Sequence, residues 1–353
     1  MTRMIAVYSV LLAMTASLNA GDLKKKAVDR EAFKAIHKAG GNIFCDYEGT
    51  PLALTISYAV KDIKTVVDRV KYFPELESIW YVPDYGMNDE ILTRLVTDAP
   101  KLKKLWAGGM GDTGLKIIAK GKNIENLRIG SRTITDAGMA HLTALPKLRE
   151  LHVSGFLSSK GFEKLAPSKT LEFLWYTQVN DESLKGIAKI TSLKRIRFVR
   201  AAVTDKGFQE LASLPNLEEL NFQGTKISDV AVTRLGTLQK LRELNLNDTK
   251  ITDESLKTLG KLKSLRRLCL ERTKISDVGL SHLVGMANLE TIDLGGTPIT
   301  DNGIVQLAGI KKLRLVSLGG AAVTPKGRSM LVHLRPKILI TDVGGPFPSK
   351  DEP

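Results

Sequence analysis

Three tryptophans are the side chains of this sequence best suited to binding another molecule. Trp80, Trp106 and Trp175 each stand in the middle of a short apolar triplet, and the 353-residue sequence contains no other tryptophan. An indole ring offers a large rigid apolar face, an N–H donor and a surface that attracts cations. If the triplets are strands, their middle residues share one face of a sheet, and the three rings can anchor a ligand there.

Basic side chains stand in the same register or beside it, which favours an anionic or polar partner. We therefore predict a partner-binding site whose members are Trp80, Trp106, Arg128, His152, Trp175, Arg195, Arg197 and Arg200. Two alternatives stay open. Tryptophan and arginine could stack on one another and only cover the sheet, or the N-terminal segment could fold over Trp80.

Residues typical of enzymes give weaker patterns. The sequence contains no GxSxG, HExxH, Walker or CxxC motif. Cys269 and His152 are the candidates for a reactive group, but Cys269 has no histidine in its own triplet. An aspartate recurs once per repeat, as at Asp253 and Asp277, and its place at a helix start favours capping over metal binding. We therefore expect no catalysis, no metal and no cofactor.

One pattern repeats every 24 residues from Leu217 onward. The four segments read LEELNFQGTKISDVAVTRLGT, LRELNLNDTKITDESLKTLGK, LRRLCLERTKISDVGLSHLVG and LETIDLGGTPITDNGIVQLAG. Their shared pattern, LxxLxLxxTxITDxGLxxLxxL, resembles the leucine-rich-repeat family. The ITDxGL segment is similar to the cysteine-containing subclass, which includes many exported bacterial proteins. The resemblance covers nearly all of the chain after its first segment and implies a scaffold that binds other molecules.

The resemblance implies an α/β fold, a right-handed solenoid or horseshoe with a concave parallel sheet and short convex helices. In each LxL triplet two apolar side chains face the core and the middle residue faces the concave surface. Because aromatic residues make up 6% of the chain, leucine, isoleucine and valine are expected to build the core. The predicted first residues of the triplets are Leu54, Ile79, Leu105, Leu127, Leu151, Leu174, Ile196, Leu220, Leu244, Leu268, Ile292, Val316 and Ile338.

Short motifs around each triplet predict the rest of the unit. A Ser/Thr-Asp pair such as Thr252-Asp253 sets a helix N-cap, and Leu256 and Leu259 then pack the helix on the sheet. Threonine takes the turn position at which this family usually has asparagine or cysteine, and we expect its hydroxyl to bond the turn backbone. These turn threonines are Thr225, Thr249, Thr273 and Thr297.

The sequence predicts four segments. Residues 1–20, with Arg3 before an apolar run, are expected to be a secretory signal, which places the protein in the periplasm, at the cell surface or outside the cell; an uncleaved anchor is the alternative. Residues 21–53 are expected to be a linker and a helix-plus-strand cap. Residues 54–341 form the solenoid of about 12 repeats, and residues 342–353 a flexible tail.

Charge and cysteine usage bear on the partner. The net charge is +14. The lysines look spread over many helices, which favours an evenly solvated surface, with an anionic partner as the alternative. Cys45 and Cys269 lie about nine strands apart, too far for a disulfide.

We expect a protein or peptide partner, with a glycan as the alternative, and export argues against nucleic acid. A structural envelope element without a discrete ligand is the competing hypothesis. The repeats do not define the oligomeric state.

Overall fold

The computed structural model describes residues 29–81, 87–198 and 201–343. The predicted signal, Arg200 and the tail from residue 344 onward lie outside these described residues. The chain divides into two compact units, with the boundary in sequence between Phe156 and Leu157. We call the described residues up to 156 the N-terminal stack and those from 157 the C-terminal stack.

The N-terminal stack begins with a helix and a strand that precede the parallel repeats. Strand β1 runs antiparallel to β2, so β1 covers a sheet edge that would otherwise be open, and β3 to β6 are each parallel to the strand before. Strands β1 to β6 are Asn42–Cys45, Pro51–Ile56, Ser78–Tyr81, Lys104–Gly108, Asn126–Gly130 and Glu150–Ser154. Helices α1 to α5 are Arg30–Lys38, Ile63–Val67, Asp89–Thr97, Asp112–Ile118 and Asp136–Met139.

The C-terminal stack is a regular series of parallel strands, β7 to β14, each followed along the chain by a helix except the last described one. The strands are Phe173–Tyr176, Arg195–Arg197, Glu219–Asn221, Glu243–Asn245, Arg267–Cys269, Thr291–Asp293, Leu315–Ser317 and Leu339–Thr341. Helices α6 to α13 are Ser159–Glu163, Asp181–Ile187, Asp205–Phe208, Asp229–Val232, Asp253–Leu259, Asp277–Leu280, Asp301–Ile304 and Pro325–Leu334.

The pairing register confirms the predicted leucine-rich-repeat fold within each stack. From Leu54 to Leu151, and again from Leu174 to Val316, the predicted first residues of the triplets are aligned on neighbouring strands and are buried. The last triplet was predicted two positions from its true place: Val316 pairs with Ile340, not with Ile338. We call the aligned middle residues of the triplets the middle row. Leu339 consequently aligns with Leu315, outside the middle row, and is 60% exposed.

The core contains more aromatic volume than the composition suggests. Leucine, isoleucine and valine are the commonest buried residues, as predicted. The largest fully buried side chains are nevertheless aromatic: Tyr81, Tyr176, Phe162, Phe173, Phe198, Phe208 and Phe222. The aromatic residues are few, but these seven face inward, so they supply much of the packing in the middle of the chain.

The turn threonines behave as predicted. The hydroxyl of Thr249 donates to the carbonyl of Leu246 at 2.6 Å, and that of Thr273 donates to Leu270 at 2.6 Å. The same bond joins Thr225 to Phe222 and Thr297 to Leu294. Each hydroxyl satisfies a buried carbonyl at the point where the strand turns toward the helix.

The aspartate at the start of most repeat helices has a role that the sequence did not reveal. The serine or threonine is the N-cap, while the aspartate, one position later, reaches the next repeat. Asp253 accepts from the backbone N–H of Ser276 at 2.7 Å and from its hydroxyl at 2.6 Å, and Asp277 holds Thr300 in the same way. We call this series the aspartate ladder; its described aspartates are Asp112, Asp181, Asp205, Asp229, Asp253, Asp277 and Asp301.

The ladder explains the glycine of the ITDxG motif. A Cβ atom built on Gly279 would collide with the carboxylate of Asp253, and one on Gly303 with that of Asp277. Ser255 replaces glycine in α10, and its hydroxyl donates to Asp229 at 2.5 Å. Burial alone would raise the pKa of Asp229, but hydrogen bonds from Ser255 and Thr252 outweigh it and hold the pKa below its usual value.

Candidate functional site

The N-terminal stack brings four of the predicted site residues into one row. Trp80, Trp106, Arg128 and His152 are aligned partners on β3, β4, β5 and β6, and each side chain is half-buried. Neighbouring parallel strands are about 4.8 Å apart, so consecutive members of this row are within contact distance. We call these four residues the N-terminal row; they face the side of the sheet that we call the open face.

Arg128 stacks on Trp106. Its guanidinium carbon lies 4.0 Å from the centroid of the indole ring, which is close cation–π geometry. This is the tryptophan–arginine stacking that the sequence analysis kept as an alternative. The contact covers one region of the indole but leaves Trp106 half-buried, so a surface remains on which a ligand can pack.

Small residues lie beside the N-terminal row, two positions further along three of its strands. Gly108 and Gly130 are aligned partners, as are Gly130 and Ser154. The position beside Gly130 is tightly packed, because a Cβ atom on Gly130 would lie 2.6 Å from the hydroxyl of Ser154. This strip of small residues was not predicted, although the triplets WAG, RIG and HVS carry the signal once the register is known.

Polar groups lie on the other side of the N-terminal row. Lys104, Asn126 and Glu150 are aligned on β4, β5 and β6, and the amide of Asn126 donates to the carboxylate of Glu150. The arrangement is an aromatic and cationic row between a strip of small residues and a strip of hydrogen-bonding groups. Binding sites commonly combine such an apolar anchor with a few placed polar groups.

The C-terminal stack holds the remaining described members of the predicted site. Trp175 and Arg197 are aligned partners on β7 and β8. The guanidinium carbons of Arg195 and Arg197 lie 4.8 Å and 5.5 Å from the ring centroid of Phe173. The guanidinium of Arg197 also approaches the carboxylate of Glu219 at 3.5 Å, and these two side chains are 15% and 16% exposed. These arginines therefore cover Phe173, which is an internal role that the sequence did not predict.

The middle row changes character after β8. Asn221, Asn245 and Asp293 are buried, and each accepts a hydrogen bond from the backbone N–H two residues further along. Their side chains serve the local turn and offer little to a ligand. The half-buried aromatic and basic middle residues of the described chain therefore belong to β3 through β8.

Cys269 also lies in this middle row, and its thiol is poorly suited to chemistry. The residue is 3% exposed, and burial, with a smaller contribution from the charge of Asp293, raises its pKa to about 12. At pH 8 a thiol with such a pKa is about one part in ten thousand thiolate, the reactive form.

We expect Cys269 to resist alkylation by iodoacetamide at pH 8 in the folded protein and to react fully in 6 M guanidinium chloride, a common denaturing condition. Peptide mass spectrometry after timed quenching measures the modified fraction. Modification of Cys269 in the folded protein at the rate of the denatured chain would contradict this account. It would also restore the enzymatic hypothesis.

Metal ligation and membrane crossing each require a particular arrangement of residues. Within residues 29–81, 87–198 and 201–343, no three His, Cys, Asp or Glu side chains are grouped as metal ligands would be. Within the same ranges, no helix has both the length and the apolar character needed to cross a bilayer.

Comparisons with known proteins agree with the observed architecture. Residues 239–299 match the family model described as leucine rich repeat. An internalin, InlF of Listeria monocytogenes, has a similar structure with a TM-score of 0.61 and 18% sequence identity, over 94% of this chain and 99% of the internalin. TLR13 in its complex with ssRNA13 gives a TM-score of 0.55 and 20% identity, over 76% of this chain and 43% of that chain. No curated protein sequence matches significantly. The chain therefore has the leucine-rich-repeat fold, and residues 239–299 are leucine-rich repeats by sequence as well.

Proposed function

We propose that this protein is an extracytoplasmic binding scaffold that holds a protein or peptide against its open face and catalyses no reaction. The observation that carries the proposal is the N-terminal row, in which two tryptophans, an arginine and a histidine stand side by side and half-buried. The predicted signal at residues 1–20 supports the location outside the cytoplasm and the exported bacterial type of repeat protein.

The chemistry of the N-terminal row favours binding over simple coverage of the sheet. Tryptophan and arginine are the residues most enriched among those that dominate binding energies, because they combine a large contact area with directed polar contacts. Gly108 and Gly130 have no side chains that could cover the flank of Trp106 or of Arg128. The guanidinium of Arg128 is already held over the indole, so a carboxylate of the partner meets a pre-oriented cation.

The structural neighbours support binding only as a general use of this fold. The TLR13 structure is a complex with ssRNA13, so that protein holds another macromolecule. Fold likeness does not transfer a partner. The proposal therefore rests on the side chains of this chain, and a glycan or a nucleic acid is an outcome that the experiment can return.

The test compares capture of partners by the wild-type protein and by Trp106→Ala. Tagged protein is incubated with an envelope extract of the source cell, and retained molecules are quantified by mass spectrometry. We expect the principal retained protein to be reduced about 30-fold by Trp106→Ala, which corresponds to an anchor worth about 2 kcal/mol. The melting temperature is expected to stay nearly unchanged, because the indole is half-exposed.

Tyr47→Ala provides the matched control, since this aromatic side chain is 97% exposed in the turn after β1 and lies away from the N-terminal row. It should retain the partner as well as the wild type does. Equal retention by Trp106→Ala and Tyr47→Ala would show that the N-terminal row is not the site.

A further inference from the structure

The C-terminal stack carries a strongly basic surface that the binding function proposed above does not use. Its source is the set of segments that lead from a helix into the next strand, namely residues 236–242, 260–266, 284–290, 308–314 and 335–338. These five segments contain ten Lys or Arg residues and one acidic residue, Glu290. We call this surface the basic edge.

The pairing register places these segments side by side. Leu244, Leu268, Ile292, Val316 and Ile340 are aligned on consecutive strands, so the residues that enter those strands are stacked in the same order. Over four strand spacings the basic edge extends about 20 Å. The charge of the C-terminal stack is therefore less evenly spread than expected, because these short segments hold ten of the 28 Lys and Arg residues of its described part.

Helix dipoles account for some of these cations but not for their number. Lysine near a helix C-terminus is favourable, and Lys263 donates to the carbonyl of Gly260 in this way. One cation per repeat would meet that need, whereas the segments average two. Lys261, Lys311 and Lys337 are exposed. Two arginines of the edge approach carboxylates, Arg242 at 3.4 Å from Glu218 and Arg266 at 3.8 Å from Glu290.

Internal bonds hold the backbone of the basic edge in place. The guanidinium of Arg335 donates to four backbone carbonyls of the preceding segment, including Ile310 at 2.8 Å and Lys311 at 2.6 Å. Lys312 donates to Asn288 and Lys240 donates to Asn216, each at 2.8 Å. The exposed lysines therefore project from an ordered surface.

The composition of the basic edge narrows the class of partner. Its five segments contain no aromatic residue, so nucleobases would find nothing on which to stack. Val284, which is 39% exposed, is the one large apolar side chain of these segments that is exposed. A single such side chain provides too little apolar surface for insertion into a membrane. A partner that needs only a line of negative charge fits better. We propose that the basic edge binds a linear acidic polysaccharide, whose carboxylate or sulfate groups pair with lysines on both sides of segment 284–290, which itself contains no Lys or Arg.

The test uses heparin as the probe and two matched triple variants. Lys261→Ser, Lys311→Ser and Lys337→Ser together remove three charges from the basic edge. Lys226→Ser, Lys250→Ser and Lys274→Ser remove three exposed charges from the turns that lead into the helices. Affinity for a heparin oligosaccharide is measured by titration calorimetry at several salt concentrations, with neutral dextran as the uncharged comparison.

We expect the basic-edge variant to weaken heparin binding at least about tenfold and to reduce the slope of log affinity against log salt by about 2 to 3, because three counterion-releasing contacts are lost. The turn variant should change affinity less than about threefold, and Trp106→Ala should leave it unchanged. Equal weakening by both triple variants, or by neither, would overturn the proposal. Tighter binding of single-stranded DNA or of phosphatidylglycerol vesicles than of heparin would replace the polysaccharide with that partner.

Discussion

Replacing Gly303 with alanine is expected to lower the free energy of unfolding of the C-terminal stack by about 3 kcal/mol. The added Cβ atom would meet the carboxylate of Asp277, which holds the N–H of Thr300 at 2.8 Å and its hydroxyl at 2.5 Å. The carboxylate of Asp277 must move, so its two hydrogen bonds from Thr300 weaken. It also remains crowded against the added methyl group. Lost hydrogen bonds to a charged group and crowding of a packed position give this magnitude.

The sign of this effect separates the aspartate ladder from ordinary helix propensity. Alanine is about 1 kcal/mol more favourable than glycine inside a helix, so propensity alone predicts that Gly303→Ala stabilises the protein. Gly236→Ala is the control, because the nearest atom to its added Cβ would be Cγ2 of Thr258 at 3.6 Å. Gly236→Ala should leave the free energy of unfolding unchanged or raise it by up to about 1 kcal/mol. Urea denaturation followed by circular dichroism measures both, and equal stability of the two variants would refute the role assigned to the ladder.

The aspartate ladder shows what a repeat pattern does and does not predict. The Ser/Thr-Asp pair correctly predicted helix starts, because N-capping depends on residues within one turn. The bond from Asp253 to Ser276 crosses to the next repeat, and it becomes visible only when the register places the two residues together. The sequence nevertheless holds the signal, since a small residue follows two positions after each ladder aspartate in the regular repeats.

The alignment of the candidate site residues was predictable from the sequence, but their side-chain contacts were not. Alternation in a strand was enough to place Trp80, Trp106 and Arg128 in one row. It could not reveal that Arg128 stacks on Trp106, because that contact depends on side-chain rotamers. The last strand shows the opposite limit. Residues 338–340 read Ile-Leu-Ile, and a shift by two residues keeps the same side chains on the core face, so only the pairing of Val316 with Ile340 fixes which residue shares a row with the earlier triplets.

Phe222 is the position at which the largest loss of stability is expected. Its ring is fully buried and makes edge-to-face contacts with Phe198 and Phe208, with centroids 5.3 Å and 4.6 Å away. Phe222→Ala removes both contacts and opens a cavity between strand and helix. Core substitutions of phenylalanine by alanine cost about 3 to 5 kcal/mol, and we expect a value near the upper end because two aromatic partners are lost together.

Two further variants make the prediction about Phe222 specific. The next repeats carry Leu246, Leu270 and Leu294 at the equivalent place, so Phe222→Leu keeps a side chain that this architecture already accepts there. We expect it to cost about 1 to 1.5 kcal/mol, and Val278→Ala, at a side chain that is 72% exposed, to change stability by less than about 0.5 kcal/mol. Urea denaturation ranks the three variants. If Phe222→Ala proved no more damaging than Phe222→Leu, the aromatic trio would contribute only its volume, and the repeats around it would be held by leucine packing like those that follow.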